Sequence, residues 1–296
     1  MRTDLARHNE LSGVALAATS AIAFGTLAIF GKYAYDEGAD PVALLAGRFV
    51  LSALLLAGYH VATGRSLVLP RRATVRLLLM GALGYAFESA LFFLALERSP
   101  AGTVALIFYS YPMWVALMSL VWGLERFQPR LAVALLLGTA GVSMIFSLTL
   151  ESPAGPLLAL GAAIAVAIYF IFAQVVMRGI DARSSAFWTA TGAAITTAAA
   201  AAVTRSELPS AALPHAFGLA AATSIAFVLL YAAIARIGSA RAAVAAMLEP
   251  VTTVILAALL LSEEITLRSA IGAALIVSAL PVLATTRRRE EVAAEP

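Results

Sequence analysis

The sequence predicts an all-α membrane protein of ten transmembrane helices. Composition, the spacing of apolar runs and the sidedness of the basic residues lead there. Of 296 residues, 61% are hydrophobic and 12% charged, against about 45–50% and about 25% in soluble domains. So few polar groups cannot cover so large an apolar core, and lipid must solvate much of the exterior.

A bilayer core requires about 20 consecutive apolar residues per helix. Such runs lie at 11–33, 41–62, 73–96, 101–122, 130–148, 154–177, 184–203, 214–235, 241–261 and 267–285. The first follows a polar stretch, Met1 to Glu10. It is longer than the apolar region of a secretory signal and shows no cleavage site, so it reads as a span. Asp36-Glu37-Gly38 ends it, Gly64-Arg65 ends the second, Arg98-Ser99-Pro100 the third and Glu151-Ser152-Pro153 follows the fifth. Most gaps are only a few residues and leave no room for a soluble domain.

Basic residues set the orientation. With both termini cytoplasmic, the inner face collects Arg2, Arg7, Arg65, Arg71, Arg72, Arg76, Arg126, Arg130, Arg178, Arg183, Arg236, Arg241 and Arg287 to Arg289. The outer face keeps Lys32, Arg98, Arg205 and Arg268, while Arg48 lies within a span. A miscounted span would scramble this alternation, so it supports ten spans as well as the N-in, C-in orientation. The expected location is a bacterial inner membrane, with Arg287-Arg288-Arg289 meeting anionic headgroups.

Other classes fall away on composition. The basic residues sit in short loops, which does not suit nucleic acid. Cysteine is absent, excluding disulfides, thiol catalysis and iron–sulfur clusters. His8, His60 and His215 lack metal-ligand spacing, so neither a metal nor a cofactor is expected.

The two halves repeat one another. Ser20-Ala21-Ile22-Ala23 with Ile29-Phe30 recurs as Ala162-Ala163-Ile164-Ala165 with Ile171-Phe172, and Tyr111-Pro112 aligns with Glu249-Pro250. At that second offset Arg98 meets Arg236, Glu125 meets Glu263 and Arg130 meets Arg268. Five spans per half is odd, so the second copy is inverted, the arrangement of transporters that expose a central site alternately. The division is a tail at 1–10, repeats at 11–148 and 149–285, and a tail at 286–296.

The motifs Ala46-Gly47-Arg48-Phe49, Tyr111-Pro112 leading to Gly123-Leu124-Glu125-Arg126, and Leu248-Glu249-Pro250-Val251 leading to Ser262-Glu263-Glu264-Ile265-Thr266 carry a resemblance. Over nearly the whole length the chain resembles paired EamA domains of the drug/metabolite transporter superfamily. More loosely, it is similar to the YddG-type exporters of aromatic and other amino acids. The resemblance implies two inverted five-helix bundles around a central cavity and export of small solutes such as amino acids. The reading Tyr109-Ser110-Tyr111-Pro112 departs from the commoner Leu-Pro context.

Pro112 and Pro250 fall near the centres of spans four and nine, where proline bends or unwinds a helix. Interrupted helices at matching places point to a midplane site; a packing kink is the alternative. Glu88 and Glu249 fall at membrane depth, where an ionised carboxylate costs about 2.5–3.5 kcal/mol. Each therefore faces a wet cavity, is protonated, or is paired, with Arg48 the expected structural partner. Tyr85, Glu88 and Phe92 share one helix face, and Ser110, Tyr111 and Trp114 lie together on span four. Tyr169, Gln174 and Trp188 follow on spans six and seven. Such rings can enclose an apolar side chain, hydrogen-bond an amino-acid backbone or hold an ammonium; packing is the competing role. Gly81 with Gly84, and Gly138 with Gly141, suit close helix approach.

Rival activities are weaker. No Walker, zincin or nucleophile-elbow motif is present, and Asp36 with Asp40 reads as an acidic turn rather than a diphosphate site. A channel needs an oligomeric pore, whereas the repeat puts the cavity inside one chain, so a monomer suffices. A lipid flippase fits an apolar cavity. Uniport and proton coupling both stay open, as does direction.

Overall fold

The computed structural model describes residues 2–148 and 153–284; Glu151, Ser152 and the arginine run 287–289 lie outside them. Among the described residues, nine helical segments are long and apolar enough to cross a membrane: Asn9–Asp36, Pro41–Ala62, Arg71–Leu96, Ala101–Val121, Ala154–Val176, Ala182–Thr204, Ser210–Ile237, Ser239–Leu261 and Leu267–Ala284. A shorter apolar helix, Pro129–Ile145, completes the set. In chain order these are spans one to ten, with Pro129–Ile145 the fifth. That span was expected over 130–148. It stops at Ile145 because Phe146 turns to extended backbone, φ −104° and ψ 155°.

Local chemistry sets several ends. The Asp40 carboxylate accepts from the amides of Val42 and Ala43, with Pro41 at the first helical position of span two. This is an N-cap followed by the residue best tolerated there. Asp181 caps span seven in the same way. Asp36 pairs with Lys32 one turn before it, at 3.4 Å. Both members of the Asp36/Asp40 pair thus have structural roles.

The pairing of spans follows an inverted two-fold. Span one packs on span eight, as span six packs on span three; span two packs on eight, as seven packs on three. Span four packs on six, as nine packs on one. Spans two with seven, four with nine, and five with ten pair across the axis. These contacts come in matched pairs, as a five-helix unit repeated upside down requires.

Small residues set the closest crossings, since lipid supplies no hydrophobic drive between helices. A methyl on Gly141 would sit 2.5 Å from the Gly272 carbonyl oxygen, so spans five and ten meet backbone to backbone. Gly81 lies likewise against the Thr189 backbone on span seven. Gly84 and Gly138 instead accommodate the side chains of Tyr169 and Met247.

On the face that carries the termini, polar groups close the bundle around the start of span nine. Arg241 donates to the Glu10 carboxylate at 2.5 Å and to the Gln128 amide oxygen at 2.7 Å. The amide of Ser239 donates to Gln174 Oε1 at 2.7 Å, and that of Ala240 to Glu125 Oε1 at 3.1 Å. Ser119 and Ser239 join their hydroxyls at 3.1 Å. Two of the orphan amides at this helix start are therefore satisfied by the other elements it packs on. The contact also explains a departure from expectation. Residues 1–10 were assigned to a tail, but the first helix begins at Arg2, and Glu10 is buried against Arg241.

Two predictions follow from this closure. Breaking a buried ion pair costs about 3–5 kcal/mol because the survivor is left uncompensated. Arg241→Gln should accordingly lower the melting temperature in detergent, and adding Glu10→Gln should recover much of the loss; an unshifted single variant would contradict the pairing. Burial raises the pKa of Glu125, opposed by the Ala240 amide and by Arg241. The folded state then holds that proton more tightly than the unfolded chain, so stability falls as pH rises above the ordinary carboxylate range. Glu125→Gln keeps an acceptor for Ala240 and should flatten this part of the profile of melting temperature against pH. A profile as steep as the parent's would count against it.

Candidate functional site

Four spans depart from regular α-helix, and their irregular stretches converge. Span one breaks at Thr26, between helices Arg2–Gly25 and Leu27–Asp36. Span three carries a π-helical stretch, Met80–Tyr85. Span four breaks at Tyr109 and Ser110, between Ala101–Phe108 and Tyr111–Val121. Span nine breaks at Met247, between Ser239–Ala246 and Leu248–Leu261. Pro112 and Pro250 occupy the first turn of the second half-helix in each case and are buried. The expected interruption of both helices is therefore present. A proline in a first helical turn forfeits no internal hydrogen bond.

The breaks of spans one and nine touch. Thr253 on span nine donates to the freed Gly25 carbonyl at 3.1 Å. A side chain at Gly25 would fall 2.9 Å from the Glu249 carbonyl oxygen and 2.6 Å from Thr252. Only glycine lets the two interrupted helices come this close.

Beside these breaks lies a cavity of about 390 Å³, within the roughly 300–1,000 Å³ typical of small-molecule sites. Its lining runs from Tyr35, Pro41 and Leu96, at the ends of spans one to three away from the termini, inward to Ala246 and Glu249. The walls are largely apolar, from Phe24, Phe92, Phe108, Phe170 and Phe227 among others. Six chargeable or hydroxyl-bearing side chains named from the sequence reach it: Arg48, Tyr85, Glu88, Tyr111, Tyr169 and Glu249. Tyr85, Glu88 and Phe92 share the expected face. Glu88 is 8% exposed, and its carboxylate accepts from Ser89 at 3.2 Å. The Tyr85 ring meets Phe49, Tyr169 and Phe227 edge-on at 5.1–5.8 Å. Tyr169 and Tyr231 hydrogen-bond through their hydroxyls.

Other sequence candidates lie elsewhere. Trp114 packs against the core and does not line the cavity. Ser110 sits at the span-four break with its hydroxyl buried and unpartnered. Gln174 is engaged at the closed face with Ser239, and Trp188 donates to the Leu67 carbonyl at 3.1 Å. Helix rotation beyond the break decides which residues face inward, and sequence spacing alone does not resolve it.

The ion pair expected of Arg48 is not formed. No described carboxylate lies within salt-bridge distance of it. Its Nε donates to the Thr223 hydroxyl at 2.7 Å and an Nη to the Tyr85 hydroxyl at 3.2 Å, while the guanidinium lies 5.0 Å from the Phe49 ring centre. Neutral partners hold it at the cavity wall with Glu88 and Glu249. Sequence reasoning missed Thr223 and Tyr35, which carry no local signal of their own, and Phe227, one apolar residue in an apolar run.

The cavity thus offers one cation, two carboxylates and hydroxyl-tipped rings within an apolar enclosure. It can hold a small solute that has both an apolar body and polar ends.

Comparison with known proteins agrees with this architecture. The model of the EamA-like transporter family matches twice, over residues 11–147 and 153–285. A solved structure described only as "Crystal structure of protein" is similar at a TM-score of 0.77 and 23% identity, covering 95% of this chain and 99% of its own. That likeness bears on the fold. No curated protein matches the sequence. With both halves matched, the chain belongs to the EamA-like transporter family of the drug/metabolite transporter superfamily and is a multi-pass membrane transporter of small solutes.

Proposed function

We infer that the protein exports amino acids, large neutral and aromatic ones among them, from a bacterial cytoplasm by alternating access. The supporting observation is the cavity itself. It lies where interrupted helices of both repeats meet, opens away from the termini, and is closed toward them by the Arg241 cluster. With both termini cytoplasmic, as the basic residues suggest, this is an outward-open state. Exchange to the inward-open state breaks the contacts of Glu10, Glu125, Gln128 and Gln174 at the start of span nine. Spans four and nine bend at Pro112 and Pro250 as this happens. One protomer contains the whole path, so a monomer is the proposed unit.

The roles divide by position. Glu88 and Glu249 receive the substrate ammonium or, between substrates, a proton. Tyr85, Tyr111 and Tyr169 enclose the side chain with the phenylalanines. Two carboxylates in one enclosure are unequal in need, because one ammonium neutralises one of them. The second is free to carry a proton, which makes coupling to a proton gradient the natural energy source.

Counterflow of labelled amino acids into proteoliposomes, with and without a pH gradient, tests this reading. Saturable exchange of large neutral and aromatic amino acids is expected, lost or reduced by at least about tenfold in Glu88→Gln and Glu249→Gln. Replacing both Pro112 and Pro250 by alanine should slow exchange more than it weakens binding. If no amino acid exchanges while the protein remains folded, the substrate class is wrong, and lipid scrambling by the same vesicles would favour a flippase instead.

A further inference from the structure

Arg48 in span two and Arg241 at the start of span nine are held very differently. Arg241, at the closed face, is in contact with the Glu10 carboxylate and donates to the Gln128 amide oxygen. That is how a structural arginine is held, since a buried guanidinium needs a compensating charge close by. Arg48 has no carboxylate at contact distance among the described residues. Among the described residues its hydrogen-bond partners are the neutral hydroxyls of Thr223 and Tyr85, and no carboxylate there pairs with it.

Its pose is nevertheless held firmly. The Thr223 hydroxyl donates its own proton to the Leu219 carbonyl at 2.7 Å, so only its lone pairs are left for Arg48 Nε. Tyr85 is wedged among Phe49, Tyr169 and Phe227, and the guanidinium lies near the Phe49 and Tyr85 rings. Cation–π contact and neutral hydrogen bonds only partly offset desolvation of a full charge. The two held nitrogens leave most of the five donors of the planar fork unused. An oriented fork with open donors and no carboxylate in contact, in a solute-sized cavity, suits a planar anion, and a carboxylate fits it in bidentate fashion.

We propose that Arg48 is the carboxylate anchor of the substrate site, so that the transported solute must carry a free carboxylate. Resting on the amino-acid reading above, this assigns the two ends of the zwitterion: carboxylate to Arg48, ammonium to Glu88 or Glu249 across the same cavity. Thr223 is a positioning residue, acting through the guanidinium, and the Tyr85 hydroxyl holds the guanidinium while its ring lines the cavity. The site then discriminates against amines, amides and esters that keep the side chain but lack the anion.

The test is competition in counterflow. Labelled phenylalanine or leucine is exchanged by the parent protein against unlabelled amino acid, its amide and the decarboxylated amine. The amide and amine should compete more weakly by roughly tenfold to a hundredfold, the range of a lost charge-assisted hydrogen bond. Arg48→Gln should weaken the amino acid by a similar factor and erase the distinction between acid and amide. Arg48→Lys, which keeps the charge but not the fork, should recover part of it. Equal competition by amide and acid in the parent would overturn the assignment alone, with no variant needed. No amino-acid exchange by the parent would overturn the reading beneath it and this assignment with it. An Arg48→Gln protein that is monodisperse and exchanges with unchanged acid-to-amide preference would show that Arg48 only supports the wall.

Discussion

In hydrocarbon every backbone amide and carbonyl must find its partner inside the protein, and this requirement organises the whole molecule. It makes the spans helical. It also means that a helix can be interrupted only where other groups or water take over the freed backbone. Spans one, three, four and nine are interrupted or distorted, and all four contribute to one cavity. The Gly25 carbonyl, freed at the first break, is taken by Thr253 from the broken ninth span. The site and the irregular backbone are consequences of the same rule.

The inverted repeat supplies two copies of the main span contacts, but the two halves are not used alike. Proline-linked breaks occur in both spans four and nine, whereas the break in span one has no counterpart in the continuous helix Ala154–Val176 of span six. The polar closure is also one-sided, gathered at the start of span nine. In the alternating-access proposal, symmetric pairing supplies two related packings, asymmetric polar contacts select which face is closed, and a solute that favours the other packing shifts the balance.

Much of the fold was legible because hydrophobic runs report span positions directly, and the paired prolines reported the two breaks. Tyr85, Glu88 and Phe92 shared a face in the sequence and share the cavity wall in the structure, since helical spacing survives beyond the π-helical stretch. What escaped depends on contacts between distant segments. Nothing near Glu10 announces that it will meet Arg241, 231 residues later. Arg48 was matched to an acid by charge alone, but span rotation placed Thr223 and Tyr85 beside it. The break at Thr26 has only a Gly-Thr pair as a clue, and the π-helical turn at Met80–Tyr85 contains Gly81 and Gly84, residues that read equally well as helix-crossing positions. Trp114, three residues after Tyr111, looked inward by spacing but packs against the core.

The central claim is a water-filled site reached from one face at a time. The chain has no native cysteine, so a single Leu45→Cys substitution in the cavity wall reports accessibility without a background. Its rate of reaction with a membrane-impermeant maleimide, added separately to each side of oriented vesicles, is the most direct measurement. Reaction from the face opposite the termini, slowed when an exchanging amino acid is present, is the predicted result. A rate no faster than that of a lipid-facing Leu54→Cys control from either side would contradict the account.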